Sequence, residues 1–475
     1  MSTRPKHPCI HGRESARTRN SSSSGADVGE SCMIYTSICS GDHQRARRFR
    51  NLSSKNIAPH FIDLHQHIYL QPALLSILQI PTYSYLLVAM FINIISIITL
   101  ALAATANARY GRVHPLSDTN PHRSPIHYAI LANFPDPSLH YHNGTWYAFA
   151  TNDAASIDPV KGAAASETFG RANVQLATST NFINWTIASL PHQPLPTLGA
   201  WSGRITLADS SDLDHLPNTW APAVVRRDDG RYIMYYNAPA STNPYPDHPH
   251  PHCIGTALSK SNDPAGPYVP ANTSLACAPE QGGTIDAEVI KDADGTIWSM
   301  WKVNGNSIGS GGECGNTIPP LRPTPIMLQK MLSDGMTPNG APIHILDRTA
   351  SDGPLVEAPK IIRVDHASGR NESDATYFLF FSSGCMQSTA YSVKYATSKN
   401  IAGPYTRAQD TLLKTGAWGL MAPGSVGIAQ DGAGNWRMAF HATMWNAKLG
   451  PVSAMFATGL KFEGTKVKLV RIEEE

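Results

Sequence analysis

Between Asp136 and Ala442 one hydrophobic rhythm recurs five times: a short run of alternating apolar residues, a turn carrying glycine, then a run dense in aromatics. The copies read DPSLHYHNGTWYAFAT from Asp136, APAVVRRDDGRYIMYYNA from Ala221, DAEVIKDADGTIWSMWK from Asp286, EAPKIIRVDHASGRNESDATYFLFFSS from Glu357 and PGSVGIAQDGAGNWRMAFHA from Pro423. Alternation of period two is the mark of a strand, and Asn-Gly or Asp-Gly between two such runs predicts a hairpin. The turn glycines Gly144, Gly230, Gly295, Gly369 and Gly432 stand 86, 65, 74 and 63 residues apart, which suits four short strands per unit. A second echo follows the hairpins. GTALSK leads into SNDPAGPY (Ser261–Tyr268), VKYATSK leads into SKNIAGPY (Ser398–Tyr405), and VQLATSTNFINWT holds the same place in the first unit. No stretch of helical period separates the units, which argues against a parallel α/β sheet. The pattern predicts an all-β protein, a single five-bladed β-propeller.

Composition agrees. The chain has 36 Gly and 36 Pro among 475 residues, with 17 Tyr and 9 Trp, as recurring turns and aromatic strands require. A hydrophobic share of 42% supplies a core and excludes global disorder. Lys and Arg number 38 against 36 Asp and Glu, a net charge of +2, so nothing points to a nucleic-acid partner.

That near-neutrality averages two unlike parts. Residues 1–89 hold ten basic and five acidic side chains, which leaves −3 for residues 90–475. The first segment, with its Ser21–Ser24 run and the cluster Arg45, Arg47, Arg48 and Arg50, has no sustained apolar period and reads as a disordered or mis-called extension. An apolar run then ends at Ala106-Asn107-Ala108, a small-x-small cleavage pattern, with Met90 as an internal start. Residues 90–108 are therefore expected to be a signal peptide and 109–475 a secreted propeller. The alternative is a membrane anchor at residues 85–105. Sequons at Asn143, Asn184, Asn272 and Asn371 accord with export. So do the four cysteines past the leader, Cys253, Cys277, Cys314 and Cys385, an even number that permits three pairings.

Candidate chemistry lies at the entrance to each unit's first strand. Counted back from the turn glycine, Asp136, Asp286 and Glu357 fall at comparable places, while the second and fifth units carry Pro222 and Gly424 there. In a propeller the innermost strands line the axis, so such positions converge on one funnel. Paired carboxylates across a pocket are the equipment of glycoside hydrolysis, one as general acid and one as general base. A third nearby negative charge raises the acid's proton affinity. Glu288 shares a strand face with Asp286 and is a second candidate for that tuning role.

At these residues the sequence resembles glycoside hydrolase family 43, secreted five-bladed propellers that include α-L-arabinofuranosidases, β-xylosidases and arabinanases. NFPDPS (Asn133–Ser138) resembles the first-blade motif, TWAPAVV (Thr219–Val225) the second, TIDAEV (Thr284–Val289) the third and VEAPKI (Val356–Ile361) the fourth. The resemblance implies Asp136 as general base, Glu357 as general acid and Asp286 as the residue that tunes and orients the acid. It implies that Trp220 lines the sugar site; Phe134, Ser425 and His441 are further candidates for substrate contact, with His441 alternatively a hydrogen-bonding core histidine. It further implies an inverting reaction on arabinose- or xylose-containing plant cell-wall polysaccharides, with a polysaccharide or oligosaccharide as the partner of a monomeric enzyme. The alternatives are an endo-arabinanase and a non-catalytic carbohydrate-binding propeller.

The chain departs from the family where Ala358-Pro359-Lys360 follows the acid, and where APGSVG (Ala422–Gly427) has no histidine in the fifth-blade turn. Members with that histidine use it in some cases for a metal on the axis. No cofactor is expected to be required, and an axial Ca2+ is the alternative, weakened by the missing histidine. DHPHPHC (Asp247–Cys253) is expected to be a solvated loop rather than a metal cluster, and the glycine-rich Gly305–Asn316 a disulfide-pinned loop. Trp201, Trp301, Trp418 and Trp445 are candidates for stacking on sugar, one or two of them at the site.

Overall fold

The structure is a computed structural model, and it describes residues 124–152, 172–203, 218–366, 375–446 and 450–472. The leader, Gly369 and the Asn371 sequon lie outside the described residues. Strand β1 (His127–Ile130) precedes β2–β5 (Ser138–His142, Thr145–Ala150, Gln175–Ser179, Thr186–Ile187) and β6–β9 (Trp220–Arg226, Tyr232–Pro239, His252–Ser259, Tyr268–Pro270). Then come β10–β13 (Thr284–Lys291, Ile297–Val303, Ile326–Lys330, Ile343–Leu346) and β14–β18 (Val356–Val364, Thr376–Ser383, Ser392–Ser398, Thr406–Arg407, Leu413–Lys414). The last group is β19–β22 (Gly424–Gln430, Trp436–Asn446, Gly450–Glu463, Lys466–Val470).

These strands form five antiparallel sheets in hairpin order, one per repeat, and the innermost strands β2, β6, β10, β14 and β19 touch one another in cyclic sequence. This is the five-bladed propeller that the repeat predicts. Closure is by the chain's own ends, because β1 adds to β21 of the last blade although it precedes the first.

The aromatic runs explain how the blades adhere. Both faces of a blade are covered by its neighbours, so alternate residues of one strand enter different cores. On β7, Met234 and Tyr236 pack with Phe149 and Leu176 of the first blade, while Ile233 and Tyr235 pack with Val289 and Trp301 of the third. On β15, Phe378 and Phe380 face the fifth blade while Leu379 and Phe381 face the third. Each such side chain stabilises the ring by roughly 1.5–3 kcal/mol through burial.

The structure pairs Cys253 with Cys277 and Cys314 with Cys385. The second bond pins the glycine-rich loop to the loop between β15 and β16. Among the described residues no helix is long and apolar enough to cross a membrane.

Candidate active site

Each inner strand begins with one non-glycine residue in the left-handed region: Asp136 (φ 54°), Ala221 (39°), Asp286 (60°), Ala358 (50°) and Ser425 (51°). Such a conformation costs on the order of 1–2 kcal/mol per residue outside glycine. In the last four blades it coincides with a register shift between the first two strands. All five residues ring a small axial cavity of about 20 Å³, enough for about one water.

This ring corrects the equivalence drawn from the turn glycines. The structural counterpart of Asp136 and Asp286 in the fourth blade is Ala358, and in the second it is Ala221 rather than Pro222. Glu357 lies one position earlier, level with Trp220 and Ile285. The glycine is a poor ruler because the β2–β3 turn is two residues long, with His142 paired to Thr145, whereas Lys291 pairs with Ile297 across a longer turn. At the bulge strict alternation is interrupted, so Glu357 and Asp286 reach one cleft from non-equivalent positions.

That cleft, about 410 Å³, is lined by Asp136, Asp286 and Glu357 together with Trp220, Tyr391 and Thr443. Trp220 lies flat on buried His252, the ring centroids 3.7 Å apart at 11°. Burial holds His252 down to a pKa of about 3, so it backs Trp220 as an uncharged plate. His252 is thus part of β8, whereas much of the preceding His-Pro loop is exposed. Phe134 does not meet the cleft. It is fully buried among Leu139, Trp146 and Met455, and its neighbours Asn133 and Pro135 line the wall instead. Ser425 is buried on the axial cavity and hydrogen-bonds Asp136. His441 stands beneath Asp136, stacked on Tyr391 at 9°.

A second ring surrounds the first, and the sequence reading missed most of it. Opposite the residue preceding each left-handed position stand Thr151, Asn237, Lys302, Ser382 and His441, all buried. Three of them accept the backbone N–H of the left-handed residue in the next blade: Ala221 to Thr151 Oγ1 (2.8 Å), Ser425 to Ser382 Oγ (2.9 Å) and Asp136 to His441 Nδ1 (3.1 Å). In the fourth blade Ala358 N donates to Asp286 Oδ2 at 2.9 Å. Lys302 Nζ turns instead to Glu357 Oε2, at 2.9 Å. The signal was in the sequence, since every aromatic run closes on a polar residue: AFAT, YYNA, SMWK, FFSS and AFHA.

Two of the carboxyls, Asp136 and Asp286, are shifted in opposite directions. Burial acts to raise Asp136, but His441, Thr151 Oγ1 (2.6 Å) and Ser425 outweigh it and hold the group below the usual range. His441 Nδ1 lies 3.3 Å from Asp136 Oδ1 and 3.1 Å from Asp136 N, and it cannot donate to one while accepting from the other. The backbone N–H has no role but donor, and it is satisfied by His441 Nδ1. Asp286 is pushed up to about 7, first by burial and then by the charge of Glu357, with Lys302 opposing.

Glu288 does not tune the acid from the cleft. It accepts from Lys360 Nζ (2.6 Å), Val289 N (2.9 Å) and Ser138 Oγ (3.2 Å). Lys360, the departure after the acid, is thus a buried brace from the fourth blade to the third. With Glu288 and His441 Nδ1 so engaged, the axial residues do not fit a metal ion. Among the described residues no group of three or more His, Cys, Asp or Glu could hold one.

The model of glycosyl hydrolases family 43 matches residues 126–455, which span all five blades. The chain belongs to that family. It is a glycoside hydrolase built on a five-bladed propeller. Among solved structures it is similar to a thermostable family-43 glycoside hydrolase, at 19% identity and TM-score 0.51 over 71% of this chain and 93% of that one. It is also similar to an endo-1,4-beta-xylanase (19%, TM-score 0.49, 71% and 94%) and an endo-arabinase (15%, TM-score 0.49, 71% and 99%), both from Bacteroides thetaiotaomicron VPI-5482. No curated protein matches the chain at significant similarity. For this family-43 chain the likeness to the thermostable enzyme shows a shared fold.

Proposed function

We propose that the chain is an exported inverting glycosidase acting on arabinose- or xylose-containing plant cell-wall polysaccharides, of α-L-arabinofuranosidase or β-xylosidase type. The observation that carries this reading is the convergence of Asp136, Asp286 and Glu357 on one cleft, with Asp136 held below and Asp286 pushed above the usual carboxylate range. Such separation assigns acid and base roles within a set of carboxyls. Asp136, held below the usual carboxylate range by His441, Thr151 and Ser425, takes a proton from water as that water attacks the anomeric carbon. Glu357 gives its proton to the glycosidic oxygen, which leaves with the bonding pair. Asp286, raised by burial and by the charge of Glu357, also holds Ala358 N, next to the acid.

Export is supported by the two disulfides and by the exposure of Asn143, Asn184 and Asn272. The test sets aryl α-L-arabinofuranoside, aryl β-xyloside and linear arabinan side by side and follows product anomers by NMR. An inverted product from one of the two aryl glycosides is expected. A retained anomer, or full activity in Glu357→Gln, would overturn the mechanism. Arabinan cleaved internally with both aryl glycosides untouched would replace the exo reading with an endo one.

A further inference from the structure

Lys302 is 1% exposed, and among the described residues its ammonium has one partner, Glu357 Oε2 at 2.9 Å. Burying an ammonium is costly, and a methionine at this place on β11 would fill similar space without that cost. The charge also opposes what an acid needs, because a cation beside a carboxyl favours its ionised form. Lys302 is therefore not explained by packing.

We propose that Lys302 is the positioning residue for the general acid: it pins Oε2 of Glu357, presents Oε1 to the cleft, and sets how alkaline the medium can become before the acid is lost. Oε1 meets no donor among the described residues, whereas Oε2 is held. The groups facing this pair are Asp286 from β10, Asp136 from the segment before β2 and Tyr391 from the segment before β16. Lys360 of β14 is engaged by Glu288. Asp136 and Asp286 are negative when ionised and oppose loss of the acid's proton. Lys302 is the cation bonded to Glu357. It counterbalances Asp286, so the alkaline limit is set between the two.

The inference rests on the roles given under the proposed function, and the test separates the two. Full-length wild type, Lys302→Met and Lys302→Arg are compared in pH profiles of kcat/KM, on an alkyl glycoside and on the corresponding dinitrophenyl glycoside. In Lys302→Met the alkaline limb moves up by about 1–3 pH units, the range an opposite charge at this distance commands. Its plateau kcat falls by about tenfold or more on the alkyl glycoside, whose leaving group needs the acid, and far less on the dinitrophenyl glycoside. Lys302→Arg keeps the wild-type limb, because the charge remains. An unmoved limb in folded Lys302→Met, or equal losses on both leaving groups, overturns the proposal. If Lys302→Met shows no cooperative thermal transition, Lys302→Arg decides, and a displaced limb there overturns it. A wild type inactive on every glycoside would instead sink the proposed function.

Discussion

His441 on the last blade accepts the backbone N–H of Asp136 on the first, so the residue assigned as general base is held by the same bond that helps close the ring. Asp136 sits at φ 54°, and its conformation depends on that N–H finding a buried acceptor. His441→Ala leaves the donor orphaned, at a cost of about 1–3 kcal/mol, and frees Asp136 to turn. The expected outcome is a lower Tm together with a loss of kcat. His441→Gln, whose carbonyl oxygen can accept the same N–H, recovers part of the Tm. Calorimetry beside steady-state kinetics checks both.

The opposite proton affinities of Asp136 and Asp286 predict a pH dependence of stability. Asp286 binds its proton more tightly folded than unfolded, since its pKa is about 7 in the cleft against an ordinary 3.8. Its contribution is present below the unfolded value and is lost as pH rises through about 7. Asp136, lowered by its partners, contributes in the other sense: its stabilisation is lost as pH falls through its depressed value. Wild-type Tm is thus expected to fall between weakly acid and weakly alkaline pH, and Asp286→Asn to flatten that fall. Thermal melts across pH 5 to 8 test this. An identical slope in the two proteins would contradict it.

The fold was legible because the propeller writes itself five times, and repetition averages out local ambiguity. Among the described residues, the hairpin turns, aromatic second strands and third-strand echoes fall where the sheets place them. The site was legible only as far as identity, not register. Asp136, Asp286 and Glu357 converge, but Glu357 stands one position before the left-handed place that Asp136 and Asp286 occupy, and no residue type announces that offset. Phe134 went astray for a related reason: beside cleft-lining Asn133 and Pro135, its side chain turns into the core. Lys302 was overlooked because a lysine closing a strand ordinarily reaches solvent, and only the neighbouring blade buries it.

Gly424 precedes left-handed Ser425, and the reason for glycine there is close approach. A Cβ on Gly424 would lie 1.8 Å from a ring carbon of Tyr391, which is itself buried and stacked on His441. Gly424→Ala must therefore displace Tyr391 from the cleft wall. Overpacking of this kind typically costs about 1–3 kcal/mol. The expected result is reduced stability and a raised KM, measured by urea unfolding and kinetics. A variant indistinguishable from wild type would show that Tyr391 moves freely.

Below the cleft, Glu288 and Lys360 form a buried ion pair joining the third and fourth blades. Removing one partner strands the other charge, a loss of about 3–5 kcal/mol, whereas replacing both by apolar residues is often neutral. Glu288→Gln alone is expected to lower the urea midpoint sharply, and the double change Glu288→Met with Lys360→Met to recover much of it. If the two changes are additive, the pair does not act as a unit.

Of the four tryptophans considered for sugar stacking, three pack inside: Trp301 in the core between the second and third blades, Trp201 against Tyr236, and Trp418 against the core between the fourth and fifth. Trp445 is 57% exposed. On β20 it shares a face with Thr443 and His441, and its cross-strand partner is Pro451, while Thr443 and Pro451 both line the cleft. One strand face thus climbs from the floor under Asp136 to an exposed indole at the rim. A sugar unit beyond the cleaved bond would meet that indole, and a monosaccharide with an aryl leaving group would not reach as far. An exposed aromatic contact of this kind is worth about 1 kcal/mol. Trp445→Ala is therefore expected to leave kcat/KM on aryl monosaccharide glycosides nearly unchanged and to lower it by about five- to tenfold on longer oligosaccharides. Titrating Glu357→Gln with such an oligosaccharide should also perturb tryptophan fluorescence, and that response should vanish once Trp445 is removed. Equal losses on short and long substrates would mean that Trp445 shapes the cleft rather than extending it.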